Sequence, residues 1–227
     1  MLTKAIDTAQ PLGMKRLVDV CLALKLKAQG VDLSNSANSI DAVASLVYAE
    51  KPDLKKHAAP DGTVTIMFSD IEGSTAMADR LGDARFMDVL REHNAIIREQ
   101  VKAHGGFEVK SEGDGFMVAF QSAGKALACA SATQRALVER NQAAEEPVLV
   151  RIGLHSGEVI KEGEDFFGRN VIMAARVASQ AQGGEILASG VLKALLQGSD
   201  VTWGQKRTVR LKGLSGEHEI WAVTWSV

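Results

Sequence analysis

FEVKSEGDGFMVAF, residues 107–120, holds two strand-like runs on either side of a Gly-Asp-Gly turn. Glycine beside aspartate between apolar runs is hairpin chemistry of the Asp-Gly type. Upstream, ARFMDVLREHNAIIREQVKAH places Phe86, Val89, Leu90, His93, Ile96, Ile97 and Val101 on one helical stripe, which Gly105-Gly106 ends. Before that helix, TVTIMFSDI (63–71) is a strand. Downstream follow a helix through Ala126, Leu127, Ala130, Leu137 and Val138, a strand in VLVRIGLHSGEVI and a helix in GRNVIMAARVASQ. Strand, helix, hairpin, helix, strand is the split βαβ order of an α+β, ferredoxin-like sheet, expected here with helices on one face.

Residues 1–60 differ in character. Leu17, Val18, Cys21, Leu24 and Leu26 predict one short amphipathic helix, and Ile40, Val43, Ala44 and Val47 a second. KPDLKKHAAPDG then reads as a linker, so the expected division is a helical segment over 1–60 and a main domain over 61–227. The apolar faces of the first segment need a partner, which favours a regulatory or dimer-supporting role over an inert extension.

The 227 residues carry a net charge of -2 and are 46% hydrophobic, which gives no electrostatic reason to expect nucleic acid or an anionic membrane as a partner. No apolar run approaches the ~20 residues of a bilayer span, and the N-terminus lacks a secretory pattern, so a cytoplasmic protein is expected. Cys21 and Cys129, without companion Cys or His, read as small buried hydrophobes.

Chemistry gathers around FSDIEGST (68–75). Asp70 closes the first strand and Asp114 sits in the hairpin turn. In a split βαβ sheet that strand lies beside the hairpin, so the two carboxylates can meet at one edge. There they repel unless a cation lies between them, and hard oxygen donors suit Mg²⁺ or Mn²⁺. Gly73, Ser74 and Thr75 lead into a helix whose backbone N–H groups can receive phosphate oxygens. Metal and amide cradle together point to a nucleoside polyphosphate. Taken singly, each aspartate is more often a helix cap or turn residue.

TIMFSDIEGST, VKSEGDGFMVAF, RIGLHSGEV, DFFGRNVIMAAR and VRLKG, in this order and spacing, resemble the catalytic domain of class III adenylate and guanylate cyclases. The resemblance runs from about Thr63 to the C-terminus. It implies Asp70 and Asp114 as ligands of two Mg²⁺ or Mn²⁺ ions, with the carbonyl of Ile71 as a further ligand. It also implies Lys110 and Asp165 as the pair that selects adenine, Arg176 as the transition-state arginine and Lys212 as a contact of the terminal phosphates. Arg151 fits the family pattern and is read as structural; His155 reads as a packed strand-end histidine.

One position departs from the pattern. The family's asparagine four residues before the arginine is Ile172 here, and Asn170 lies two residues earlier. Either Asn170 or a water substitutes, or the enzyme is slow; the other reading of Asn170 is a cap or turn at the start of its helix. The implied activity is conversion of ATP to cyclic AMP and pyrophosphate by a homodimer with composite sites. The alternative is a nucleotide-binding, cyclase-like regulatory domain of little turnover, and a guanylate cyclase is a weaker rival.

Overall fold

In the computed structural model, which describes residues 39–50, 52–158 and 166–225, strand β1 (Thr63–Ile71) is buried along all but its first residue. Its apolar and β-branched side chains suit a strand covered on both faces. It pairs antiparallel with β3 (Gly115–Phe120) on one side and β4 (Val150–Glu158) on the other. β2 (Phe107–Glu112) is the outer arm of the hairpin. Glu112 pairs with Gly115, so the two central turn residues are Gly113 and Asp114. Gly113 has φ 59°, a left-handed conformation that glycine adopts without a Cβ clash. The sheet continues through β5 (Ile186–Ser189), parallel to β4, and then β7 (His218–Val223) and β6 (Trp203–Val209), giving the seven-stranded order β2-β3-β1-β4-β5-β7-β6.

Helices cover both faces of this sheet, not one. α1 (Ser39–Glu50), α2 (Ser74–Leu81), α3 (Asp83–Ala103), α4 (Ala123–Ala143), α5 (Phe166–Ala178) and α6 (Gly190–Leu195) follow in chain order. Strand alternation divides the core. Met67, Ile71, Phe116 and Val118 pack with α3 and α4 through Val89, Leu90, Ile97, Val101, Leu127 and Leu137. Ile66, Phe68, Met117 and Ala119 face the other way, against Val171, Ala174, Ala175 and Ala178 of α5 and Ile40, Val43, Ala44 and Val47 of α1. The split βαβ order follows from two periodicities; the second helical layer does not, because β1 is buried on both faces and alternation is silent there.

The second predicted N-terminal helix is thus α1, and its apolar stripe is buried: Ile40 and Val43 are 0% exposed. Each fully buried Val or Ile contributes about 1.5–3 kcal/mol. The first predicted helix, with Cys21, lies outside the described residues. The expected linker is also packed, since Leu54 and Ala58 are buried and the His57 ring stacks on Phe107 at 3.7 Å. Cys129 is buried without an ion partner, and that burial pushes its thiol up to about 12, as suits a small core hydrophobe. Among the described residues no helix is long and apolar enough to cross a membrane.

Candidate active site

Strand β1 delivers Asp70 to the sheet edge at which the β2–β3 turn carries Asp114. Both carboxylates are buried, at 1% and 6% exposure. The backbone N–H of Ile71 donates to Asp114 Oδ2 at 2.9 Å, which ties the turn to the strand end. Asp70 stands opposite Arg151 in the β1–β4 register. The guanidinium donates to it twice, Nε to Oδ1 at 2.9 Å and Nη2 to Oδ2 at 2.5 Å. Ser39 Oγ, at the start of α1, donates to Oδ2 at 3.3 Å.

Burial still wins over these partners. It pushes the Asp70 carboxyl up to about 6, with the Arg151 guanidinium opposing and the Asp114 charge adding to the rise. Two carboxylates meeting at one buried edge, one of them raised by burial in spite of Arg151, suit a cation as a further partner. Among the described residues no cluster of three or more His, Cys, Asp or Glu forms. Two carboxylates and a carbonyl nonetheless suit a hard ion that keeps water and phosphate oxygens for its remaining positions. The residues therefore fit a Mg²⁺ or Mn²⁺ once Arg151 turns aside.

Helix α2 begins at Ser74 after Gly73, with no side chain capping its first N–H groups. Gly73 and Thr75 are exposed and Ser74 is half-buried. The open amide donors expected for phosphate are thus present, three to five residues beyond Asp70.

Helix α5 carries Arg176, 5% exposed. Its Nε donates to the carbonyl of Lys212 at 3.0 Å and its Nη1 to Asp41 Oδ1 at 2.6 Å. The structure therefore joins two residues 36 apart in sequence, Arg176 and Lys212, and the Lys212 side chain is exposed. Lys110 on β2 donates to Glu50 Oε1 at 2.7 Å. Asp165 lies outside the described residues. Ile172 is buried in α5 at 4% exposure.

Asn170 is engaged at both ends. Its Nδ2 donates to the carbonyl of Glu158 at 2.7 Å, which leaves Oδ1 to accept from His155 Nε2 at 3.1 Å. His155 Nδ1 then accepts from the Ser189 hydroxyl at 2.8 Å, whose oxygen takes the N–H of Leu192 at 3.3 Å. This chain of donors needs a neutral imidazole. Asn170 as placed ties α5 to β4.

Burial drives the His155 imidazole down to about 4, against the raising effect of Asn170. An unfolded chain binds this proton near 6.5, so stability falls as pH drops from about 6.5 to 4. Asp70 has the opposite sign: its folded carboxyl takes up a proton near 6, before the unfolded one does near 3.8, and stability rises over that interval. His93, lowered mainly by burial, acts with His155. We expect the wild-type chain to lose about 2–3 kcal/mol more than His155→Gln between pH 7 and 4.5, measured by urea denaturation at both values. Equal losses would show that His155 is not the buried neutral group described.

Sequence reasoning missed Arg151 as the partner of Asp70. A basic residue in β4 is an ordinary occurrence, and only the register sets it opposite the carboxylate. It also missed Ser39, Asp41 and Glu50, whose sole signal was their place on an amphipathic helix.

Sheet order, helices on both faces and a buried aspartate pair at a strand end and hairpin turn define the class of domain. Residues 57–224 match the family model described as the adenylate and guanylate cyclase catalytic domain, and the chain belongs to that family. An adenylate cyclase of Mycosarcoma maydis is 32% identical over 186 residues, covering 71% of this chain and 7% of that protein. An adenylate cyclase of Podospora anserina is 33% identical, covering 70% of this chain and 8% of its own length, so the chain corresponds to a small part of these relatives. Among solved structures, the guanylyl cyclase Cya2 superposes with a TM-score of 0.64 at 28% identity, over 71% of this chain and 91% of that one.

Proposed function

We propose that the chain converts ATP to 3′,5′-cyclic AMP and pyrophosphate as a homodimer. The observation that carries this is the buried pair Asp70 and Asp114, brought to one edge, with the Asp70 carboxyl pushed up by its burial. Asp70, Asp114 and the carbonyl of Ile71 would hold Mg²⁺ or Mn²⁺, two ions per site. When bound, the ions lower the pKa of the ribose 3′-hydroxyl and screen the triphosphate charge. The open amides from Gly73 to Thr75 receive phosphate oxygens. Arg176 donates to charge developing on the α-phosphate, and Lys212 to the terminal phosphates. Lys110 donates to adenine N1, and Asp165, by its place in the sequence, accepts from the 6-amino group; guanine presents the reverse pattern at those atoms. In a two-fold dimer the carboxylates of one chain face Lys110, Arg176 and Lys212 of the other, giving two equivalent sites.

Ile172 supports a second reading, a nucleotide-binding regulatory domain of little turnover, because its side chain donates no hydrogen bond and Asn170 is already occupied. Loss of one such donor costs roughly 10²-fold in rate.

One assay separates these readings: product formation with ATP or GTP, each with Mg²⁺ or Mn²⁺. Cyclic AMP at least about tenfold in excess of cyclic GMP is expected. A preference for GTP would overturn the base assignment, and nucleotide binding without product would favour the regulatory reading.

A further inference from the structure

Helix α1 touches the candidate site at three points. Ser39 donates to Asp70 at 3.3 Å, Asp41 accepts from Arg176 at 2.6 Å, and Glu50 accepts from Lys110 at 2.7 Å. Its N-terminus also sits tightly on the hairpin: a Cβ at Gly115 would lie 2.9 Å from the Ser39 carbonyl oxygen. Asp41 thus supplies to Arg176 the anionic oxygen that a phosphate would supply, and Glu50 supplies to Lys110 the acceptor that a base would supply. Between these ends, Ile40, Val43 and Val47 seal the apolar face formed by β1, β3 and α5. That face is built partly from β1, the strand of Asp70, and α5, the helix of Arg176, so on the homodimer reading it is where a second chain would dock to complete a composite site.

We infer that α1 is an intramolecular cover of the active site, released when nucleotide and a second copy of this chain take its place. The inference rests on the cyclase reading for the identity of the displacing groups. Three contacts on one short helix explain its logic. The two carboxylates hold the cationic residues in a closed chain, and the same carboxylates are expelled when phosphate and base compete for those cations. The apolar stripe keeps the docking face from water until a second copy covers it.

The test is hydrogen exchange of the α1 amides in the full chain, alone and with saturating ATP and Mn²⁺. Release predicts at least tenfold faster exchange in α1 with ligand, and protection that stays unchanged would overturn the cover. Asp41→Asn with Glu50→Gln keeps shape and removes both charges; release should then need about tenfold less nucleotide, and an unchanged or higher requirement would also overturn it. Turnover measured on the same samples reads the cyclase separately. Release without product in either chain sustains the cover and removes the cyclase, whereas product formed with α1 still protected does the reverse.

Discussion

Asp70→Ala is expected to reduce cyclic nucleotide formation by at least about 10³-fold, since a bound cation that stabilises transition-state charge contributes several kcal/mol and, on the proposed assignment, would lose one of two carboxylate ligands. The substitution also leaves Arg151 without its two-pronged acceptor. Arg151 keeps 20% of its side chain exposed and can turn toward water, so the stability loss should stay near about 1–3 kcal/mol. Asp70→Asn preserves shape and one acceptor oxygen, and its activity should fall as far with a smaller stability cost. Turnover assays beside urea denaturation of all three chains check both halves. Activity retained in a folded Asp70→Ala chain would remove Asp70 from the chemistry.

Gly153→Ala should be the most damaging single methyl in the domain. Gly153 lies in β4 between Phe68 of β1 and Leu187 of β5, and α5 crosses directly over it. A Cβ there would stand 2.1 Å from the backbone nitrogen of Ala178 and 2.3 Å from its Cα. Neither atom belongs to a side chain that can rotate away, so the helix must lift or the strand must bend. Overpacking of this kind costs typically 1–3 kcal/mol, and backbone contact places this case at about 3 kcal/mol or more. Arg176 is two residues from Ala178, so any lift of α5 displaces it and turnover falls with stability. Urea denaturation and the cyclase assay on the one variant check both effects; a chain within about 0.5 kcal/mol of wild type would refute the close approach.

The residues that carried the fold in the sequence are those with one clear period. The stripe from Val89 to Val101 is buried as its 3.6-residue spacing requires, and the Gly-Asp-Gly turn joins the expected strands. Asp70 and Asp114 meet because strand order alone brings a strand end beside a hairpin turn. What stayed hidden depends on register and docking. The Asp70–Arg151 pair joins residues 81 apart, and no local pattern encodes a cross-strand match at that distance. The stripe of α1 announced that it needed a partner without saying which surface, because Ile40, Val43 and Val47 would suit any apolar face. Burial-perturbed groups such as Asp70 and His155 are likewise products of the assembled layers and have no sequence signature.

The placement of α1 also sets an order of assembly. Among the described residues it precedes every strand, so on a ribosome it emerges before the surface it rests on. Yet the surface it rests on is built from β1, β3 and α5, and α5 ends at Ala178. Such long-range pairings form slowly compared with a local helix. The earliest of the described elements therefore docks only once β1, β3 and α5 have formed the surface beneath it. Among the described residues no strand ladder runs through α1, so it can leave again without unravelling what lies beneath.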